Sequence, residues 1–129
     1  MSIAITPIYA ALTALIFLTL SWRIIGYRRA NLISLGDKGD KNLLKRIRAQ
    51  ANCAEYAPLA LMILLLVELS GAPAVAVHLM GAALVIGRVL HAYGFATTPQ
   101  KLIFRQIGTL LSLCMIGLGA LGLLAHALT

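Results

Sequence analysis

Negative charge is scarce in this chain: four Asp and Glu residues stand against eleven Lys and Arg, a formal net charge of +7. Charge of either sign is rare, at 12% of residues, while 60% are hydrophobic and the mean hydropathy is +0.91. A chain of 129 residues cannot bury so much apolar surface in a soluble core, since soluble domains run at about 45–50% apolar. The composition therefore excludes an ordinary soluble protein and points to a single integral membrane domain over residues 1–129. Cysteine is scarce too. Cys53 and Cys114 both fall inside predicted spans, which excludes a disulfide framework and suits small packing residues. His78, His91 and His126 show no pair with ligand spacing, so no metal is expected. The leader "MSIAITP" holds no basic residue ahead of its apolar run, which argues against a cleaved signal peptide. Internal repeats and low-complexity segments are absent as well.

What is present is a set of long apolar windows. Met1 to Trp22, Leu69 to Gly87 and Gln106 to Thr129 carry no charge, and each is close to the ~20 residues that a helix needs to cross hydrocarbon. A fourth window, Tyr56 to Val67, is too short to span and must take its polar head into the membrane. The expected fold is all-α, a membrane bundle of four helices with spans at about 3–25, 47–69, 73–95 and 106–128. The second helix is expected to start before the membrane, near Lys41, with a mild kink at Pro58. "SGAP" at Ser70 to Pro73 reads as a tight turn. Gly108, Gly117, Gly119 and Gly122 read as sites of close helix approach in the fourth span.

The basic residues are confined to one side. Arg28, Arg29, Lys38, Lys41, Lys45 and Arg46 lie between the first two spans, and Lys101 and Arg105 between the last two. Arg23, Arg48 and Arg88 lie in the span ends nearest those loops, and the opposite side holds Glu68 with no Lys or Arg. That distribution is the positive-inside pattern. It excludes nucleic acid as the partner of the positive charge and predicts basic loops in the cytoplasm with both termini outside.

Within the second span, "RAQANCAEY" places Arg48, Asn52, Glu55 and Tyr56 within about a quarter-turn of one another at ~100° per residue. Lys41 and Lys45 continue the stripe, and Gln50 points the other way. Glu55 lies roughly 10 Å deeper than Arg48, where a carboxylate facing lipid costs about 2–3 kcal/mol. In the third span Arg88, His91 and Phe95 share a face, and Arg88 reaches a depth similar to Glu55. A Glu55–Arg88 ion pair is the simplest expectation. Arg48, Asn52, Tyr56, His91 and Arg105 are then surplus to it. Ionisable groups inside a membrane mark functional sites, and a cationic surplus calls for an anionic guest.

"RAQANCAEYAPL" (Arg48 to Leu59) resembles the helix-two signature of the MAPEG family, the membrane-associated proteins in eicosanoid and glutathione metabolism. "RRA" at Arg28 to Ala30 and "GRVLHAYGF" at Gly87 to Phe95 support the resemblance, which covers the chain in length, span count and orientation. It implies a homotrimer with glutathione, a co-substrate, held between subunits near the cytoplasmic surface. Arg48, Asn52, Glu55 and Tyr56 resemble ligands from one subunit, and Arg28 and Gln50 ligands from its neighbour. Arg105 resembles the thiolate-stabilising arginine, with Arg29 a second catalytic candidate. Arg88, His91 and Tyr93 join the expected binding set, although the family's helix-three tyrosine position falls at Phe95. The implied activity is a glutathione transferase, with peroxidase activity alongside it, acting on lipophilic electrophiles in a bacterial inner membrane. Two other classes compete: a small four-helix multidrug transporter using Glu55, and a non-catalytic membrane scaffold.

Overall fold

The computed structural model describes residues 2–129, almost all of them helical. In lipid every backbone N–H and C=O must be satisfied within its own segment, so an apolar run that enters a membrane becomes a helix. The helices are α1 (Thr6–Asn31), α2 (Lys41–Leu69), α3 (Ala74–Ala96) and α4 (Leu102–Leu128), and all four are long and apolar enough to cross a membrane. α1 continues to Asn31, so its last turn, with Arg28 and Arg29, extends past the apolar run. α4 begins at Leu102, which places Arg105 in its first turn.

The helix ends explain the boundaries. Asp40 caps α2, accepting from the amides of Asn42 at 2.9 Å and Leu43 at 3.1 Å. The Tyr27 hydroxyl donates to the same carboxylate at 2.7 Å. That hydroxyl, with the Leu43 amide, holds the Asp40 carboxyl below its usual range. At the other end of α2, Gly71 takes φ +82. Its amide donates to the Glu68 carbonyl and the Ala72 amide to the Val67 carbonyl, the pairing of a Schellman stop, with Pro73 just beyond. The turn expected at "SGAP" is this motif. α1 has no side-chain cap of its own. Glu68, at the far end of α2, supplies one: its carboxylate accepts from the backbone amides of Ala4 at 2.8 Å and of Ile5 and Thr6 at 2.7 Å. A carboxylate on a helix N-terminus satisfies orphan donors and the dipole together.

α1 packs on α2 and α3, and α4 packs on α3 and α2; α1 and α4 do not meet among the described residues. One core layer joins Ala60, Leu64, Val67, Val77, Leu84 and Met115. A second joins Leu20, Ala49, Cys53, Ala57 and Phe95 nearer the basic loops. α3 and α4 approach most closely at Gly87 and Gly108. A Cβ on Gly108 would lie 2.7 Å from the backbone nitrogen of His91 and on top of the Gly87 carbonyl. Gly119 is similarly crowded, by Ile63 and Met80, whereas Gly117 and Gly122 face open space within the subunit. Only part of the expected glycine contact surface is therefore used here.

Arg88 is 1% exposed and lies where three helices meet. Its Nε donates to Ser112 Oγ at 3.0 Å and its Nη2 to the Gly108 carbonyl at 3.3 Å. Nη1 donates to the Asn52 side-chain oxygen and the Asn52 carbonyl. These acceptors are neutral and belong to α2 and α4. The Glu55–Arg88 ion pair expected from depth does not form: Glu55 points out of the bundle, and its cation is Arg48 on its own helix, at 3.9 Å.

Two outcomes are expected in thermal melts of the detergent-purified protein. Gly108→Ala, which pushes a Cβ into fixed backbone, lowers stability by about 1–3 kcal/mol, while Gly117→Ala is neutral or stabilising; equal melting of the two would remove the close crossing as a determinant. Arg88→Met leaves the Asn52 side-chain oxygen without its donor, since the Gly108 carbonyl keeps Ser112, and costs about 1–3 kcal/mol; Arg88→Lys, with no planar fork, restores less than half. Parental melting of Arg88→Met would show that the helices hold without it.

Candidate functional site

The polar groups of the expected site spread outward from Arg88. Its guanidinium carbon lies 5.5 Å from the centre of the Tyr56 ring, and its bond to Asn52 fixes that amide one turn from Tyr56. Arg48, one turn nearer the basic loops than Asn52, and Glu55, nearly one turn deeper, face each other loosely, their side chains 51% and 55% exposed. The 100° spacing thus correctly groups Arg48, Asn52, Glu55 and Tyr56 on one side of α2, with Asn52 turned inward and the ion pair outward.

His91 and Phe95 continue the Arg88 face of α3, as expected from their spacing. His91 is 4% exposed, and its ring meets Phe95 edge-on at 5.0 Å. Beyond it the Arg105 guanidinium lies 3.8 Å from the centre of the Phe95 ring. Gly94 makes room for this stack, since a Cβ there would be 2.7 Å from Arg105 Cγ. Arg105 Nη1 donates to Gln100 Oε1 at 2.6 Å, while Arg105 Nε is buried without a partner. A buried donor left unpaired costs about 1–3 kcal/mol, so it marks a place where a further acceptor is wanted.

Asn52, His91 and Arg105 line one cavity of about 340 Å³, together with Gln106 and Thr109 and the apolar Leu102, Leu110 and Leu113. That volume lies within the ~300–1,000 Å³ of small-molecule sites. Its lining mixes polar groups from α2, α3 and α4 with three leucines of α4, so the cavity suits a ligand with both polar and apolar parts. Among the described residues no cluster of His, Cys, Asp and Glu has the makings of a metal site.

Four of the expected residues do not join this cluster within the subunit. Arg28 Nη1 donates to the Gly36 carbonyl at 2.8 Å, bracing the α1–α2 loop, and Arg28 and Arg29 line a separate open groove with Leu32 and Ile33. Gln50 points to α1, with its Nε2 3.5 Å from Ser21 Oγ. Tyr93 is 46% exposed on a different face, edge-on to Phe104, with Lys101 Nζ at 3.3 Å from its hydroxyl. Sequence reasoning missed Ser112, Gln100, Gln106 and Thr109. Ser112 had a signal: it stands one turn from Gly108, a small-xxx-small pair of the kind found at membrane helix contacts.

Comparisons with known proteins agree with this architecture. The MAPEG family model matches residues 6–125. The chain is 35% identical over 91 residues to "Inner membrane protein YecN" of Escherichia coli strain K12, covering 70% of each chain. The same holds for the protein of that name from E. coli O6:H1. Four membrane-length helices, the polar face built on Arg48 to Tyr56 and a family match across nearly the whole chain lead to one conclusion: this integral membrane protein belongs to the MAPEG family.

Proposed function

We propose that the protein is a membrane-bound glutathione transferase that activates the glutathione thiol for attack on lipophilic electrophiles. The observation that carries this reading is Arg105: a guanidinium pinned on Phe95, its Nε buried and unpartnered, in the lining of a cavity that mixes polar groups with leucines. Arg48 grips a glutathione carboxylate through charge-assisted contacts, Glu55 takes the α-ammonium, and Asn52 and Tyr56 bond the peptide groups. Arg88 holds Asn52 in place, and His91 closes the wall beside it.

The proposed assembly is a homotrimer with three sites between subunits. The pairing of Arg48 with Glu55 supports it. An exposed ion pair contributes about 0–1 kcal/mol, whereas a carboxylate facing lipid costs about 2–3 kcal/mol, so this face calls for a covering subunit. Arg28, Arg29 and Gln50, away from the cluster in their own subunit, are then available to the neighbour's site. The basic loops lie in the cytoplasm and both termini outside, in a bacterial inner membrane, which supplies glutathione from the cytosol and the second substrate from the bilayer.

The step is a displacement. An unperturbed thiol has a pKa of about 8.5. Arg105, which keeps its proton, favours the thiolate electrostatically, each unit of lowering contributing about 1.4 kcal/mol. The thiol proton passes to water; the sulfur–carbon bond forms, the bond to the leaving group breaks, and that group departs as an anion. With a hydroperoxide the same thiolate attacks the terminal oxygen, the O–O bond breaks and the alkoxide takes a proton from water to leave as the alcohol. The glutathione sulfenic acid so formed condenses with a second glutathione to give the disulfide and water.

Calorimetric titration of glutathione and conjugation of a generic aryl halide test the reading on detergent-purified protein. Arg105→Ala is expected to lose the thiolate ultraviolet band and about a hundredfold of the conjugation rate, with little change in glutathione affinity. Its rate is also expected to level off at higher pH than the parent's, because the thiol returns toward ~8.5. Arg48→Ala weakens glutathione itself about tenfold or more. No glutathione heat and no conjugation in the parent protein would overturn the assignment.

A further inference from the structure

A second cavity, of about 240 Å³, opens at the same end of the bundle between α1, α2 and the end of α3. Its walls carry Arg23, Lys45 and Arg46, with Tyr27, Asn42 and Thr98 between them, over a floor of Ala49 and Phe95. No lining residue is shared with the Asn52–Arg105 cavity. Phe95 separates the two, with Arg105 and His91 against its ring on the far side.

Three cations converge here with no carboxylate in direct contact. The one ion pair among the described residues is Arg48–Glu55, so none of the three has a carboxylate within 4 Å. Arg46 donates to the Asn42 carbonyl of its own helix at 3.2 Å and lies 4.4 Å from the centre of the Tyr27 ring. Lys45 reaches Thr98 Oγ1 at 3.1 Å and the Thr97 carbonyl at 3.5 Å. Arg23, half-buried, makes no hydrogen bond among the described residues. The nearest acid, Asp40 on the adjoining loop, accepts from Tyr27 and the α2 amides and attracts Arg46 at longer range, which leaves one negative charge against three positive. Like charges gathered at a low-dielectric wall repel one another, so the arrangement is relieved by an anion that all three face.

Size and depth narrow the ligand. At about 240 Å³ the cavity falls below the ~300–1,000 Å³ range of drug-sized ligands, too small for a folded tripeptide and suited to one compact oxyanion. Trp22, 66% exposed beside Arg23, and Tyr27 mark the level at which aromatic side chains meet lipid headgroups. Guanidinium forks match phosphate oxygens in geometry and charge, and basic pockets between membrane helices at this level take phosphorylated headgroups. We propose that Arg23, Lys45 and Arg46 form a phosphate-binding site within each subunit, separate from the site of chemistry, filled by the headgroup of an anionic phospholipid or by a free phosphate group.

Melting temperature and native mass spectrometry test this on the full-length protein, in phosphatidylcholine vesicles with and without phosphatidylglycerol, and separately in detergent with inorganic phosphate. Stabilisation and retained lipid with phosphatidylglycerol identify a headgroup as the ligand. Stabilisation by inorganic phosphate without any lipid effect identifies a free phosphate. In either case Arg23→Gln, which breaks no bond of the fold, raises the half-saturating concentration about tenfold, and Arg23→Gln/Arg46→Gln abolishes the effect. Lys38→Gln/Lys41→Gln removes the same charge from the α1–α2 loop and the exposed first residue of α2 and leaves the effect intact. The proposal is overturned if neither probe stabilises the protein, or if the loop and pocket variants respond alike, because the binding is then diffuse surface attraction.

Discussion

A guanidinium sealed among membrane helices is the constraint on which this bundle turns. Arg88 cannot leave its charge in water, and no carboxylate reaches it. Its donors are met instead by an amide, a hydroxyl and two carbonyls from α2 and α4. A fork with several donors in fixed directions has to be satisfied from several sides at once, so it sets the rotation and height of α3 against both neighbours. The glycine pair at Gly87 and Gly108 is the steric counterpart, because only bare backbone lets the α4 carbonyl come within reach. One consequence is that Arg88 remains cationic in effect: neutral acceptors solvate its charge and do not cancel it.

That uncancelled charge belongs to a wider asymmetry. At one end of the bundle a single carboxylate is consumed by three backbone amides. At the other, arginines and lysines face two cavities on either side of the Phe95 ring. A field of one sign focused by low-dielectric walls concentrates counter-ions at its mouth, so this end attracts anions whichever of the two cavities they enter. The aromatic ring keeps the two populations of cations apart while offering a face to Arg105.

How much of this was legible in the sequence varied with the range of the interaction. Uncharged windows announced the four helices, because burial in lipid is a property of each segment alone. The side of α2 shared by Arg48, Asn52, Glu55 and Tyr56 was legible because helical periodicity is local. The partner of Arg88 was not. Depth suggested Glu55, but which residues meet depends on where two helices cross and how each is rotated, and a difference of one turn exchanged the carboxylate for Asn52 and Ser112. Gly117 and Gly119 illustrate the same limit: only Gly119 is crowded, although composition treats them alike. Glu68 looked like a lone surface acid, because its partners are backbone groups more than sixty positions away.

The clasp at Glu68 leaves an uneven imprint on what each position tolerates. Ala4, Ile5 and Thr6 contribute main-chain amides, so for the clasp itself proline alone withdraws the donor, and what restricts their side chains is packing: Ile5 lies against the core and Thr6 is buried. Position 68 has no such latitude, since both oxygens of its carboxylate are in use. The fastening of the first helix is thus written in one letter near the middle of the chain, and the stretch it secures answers to packing, not to the clasp, for its side chains.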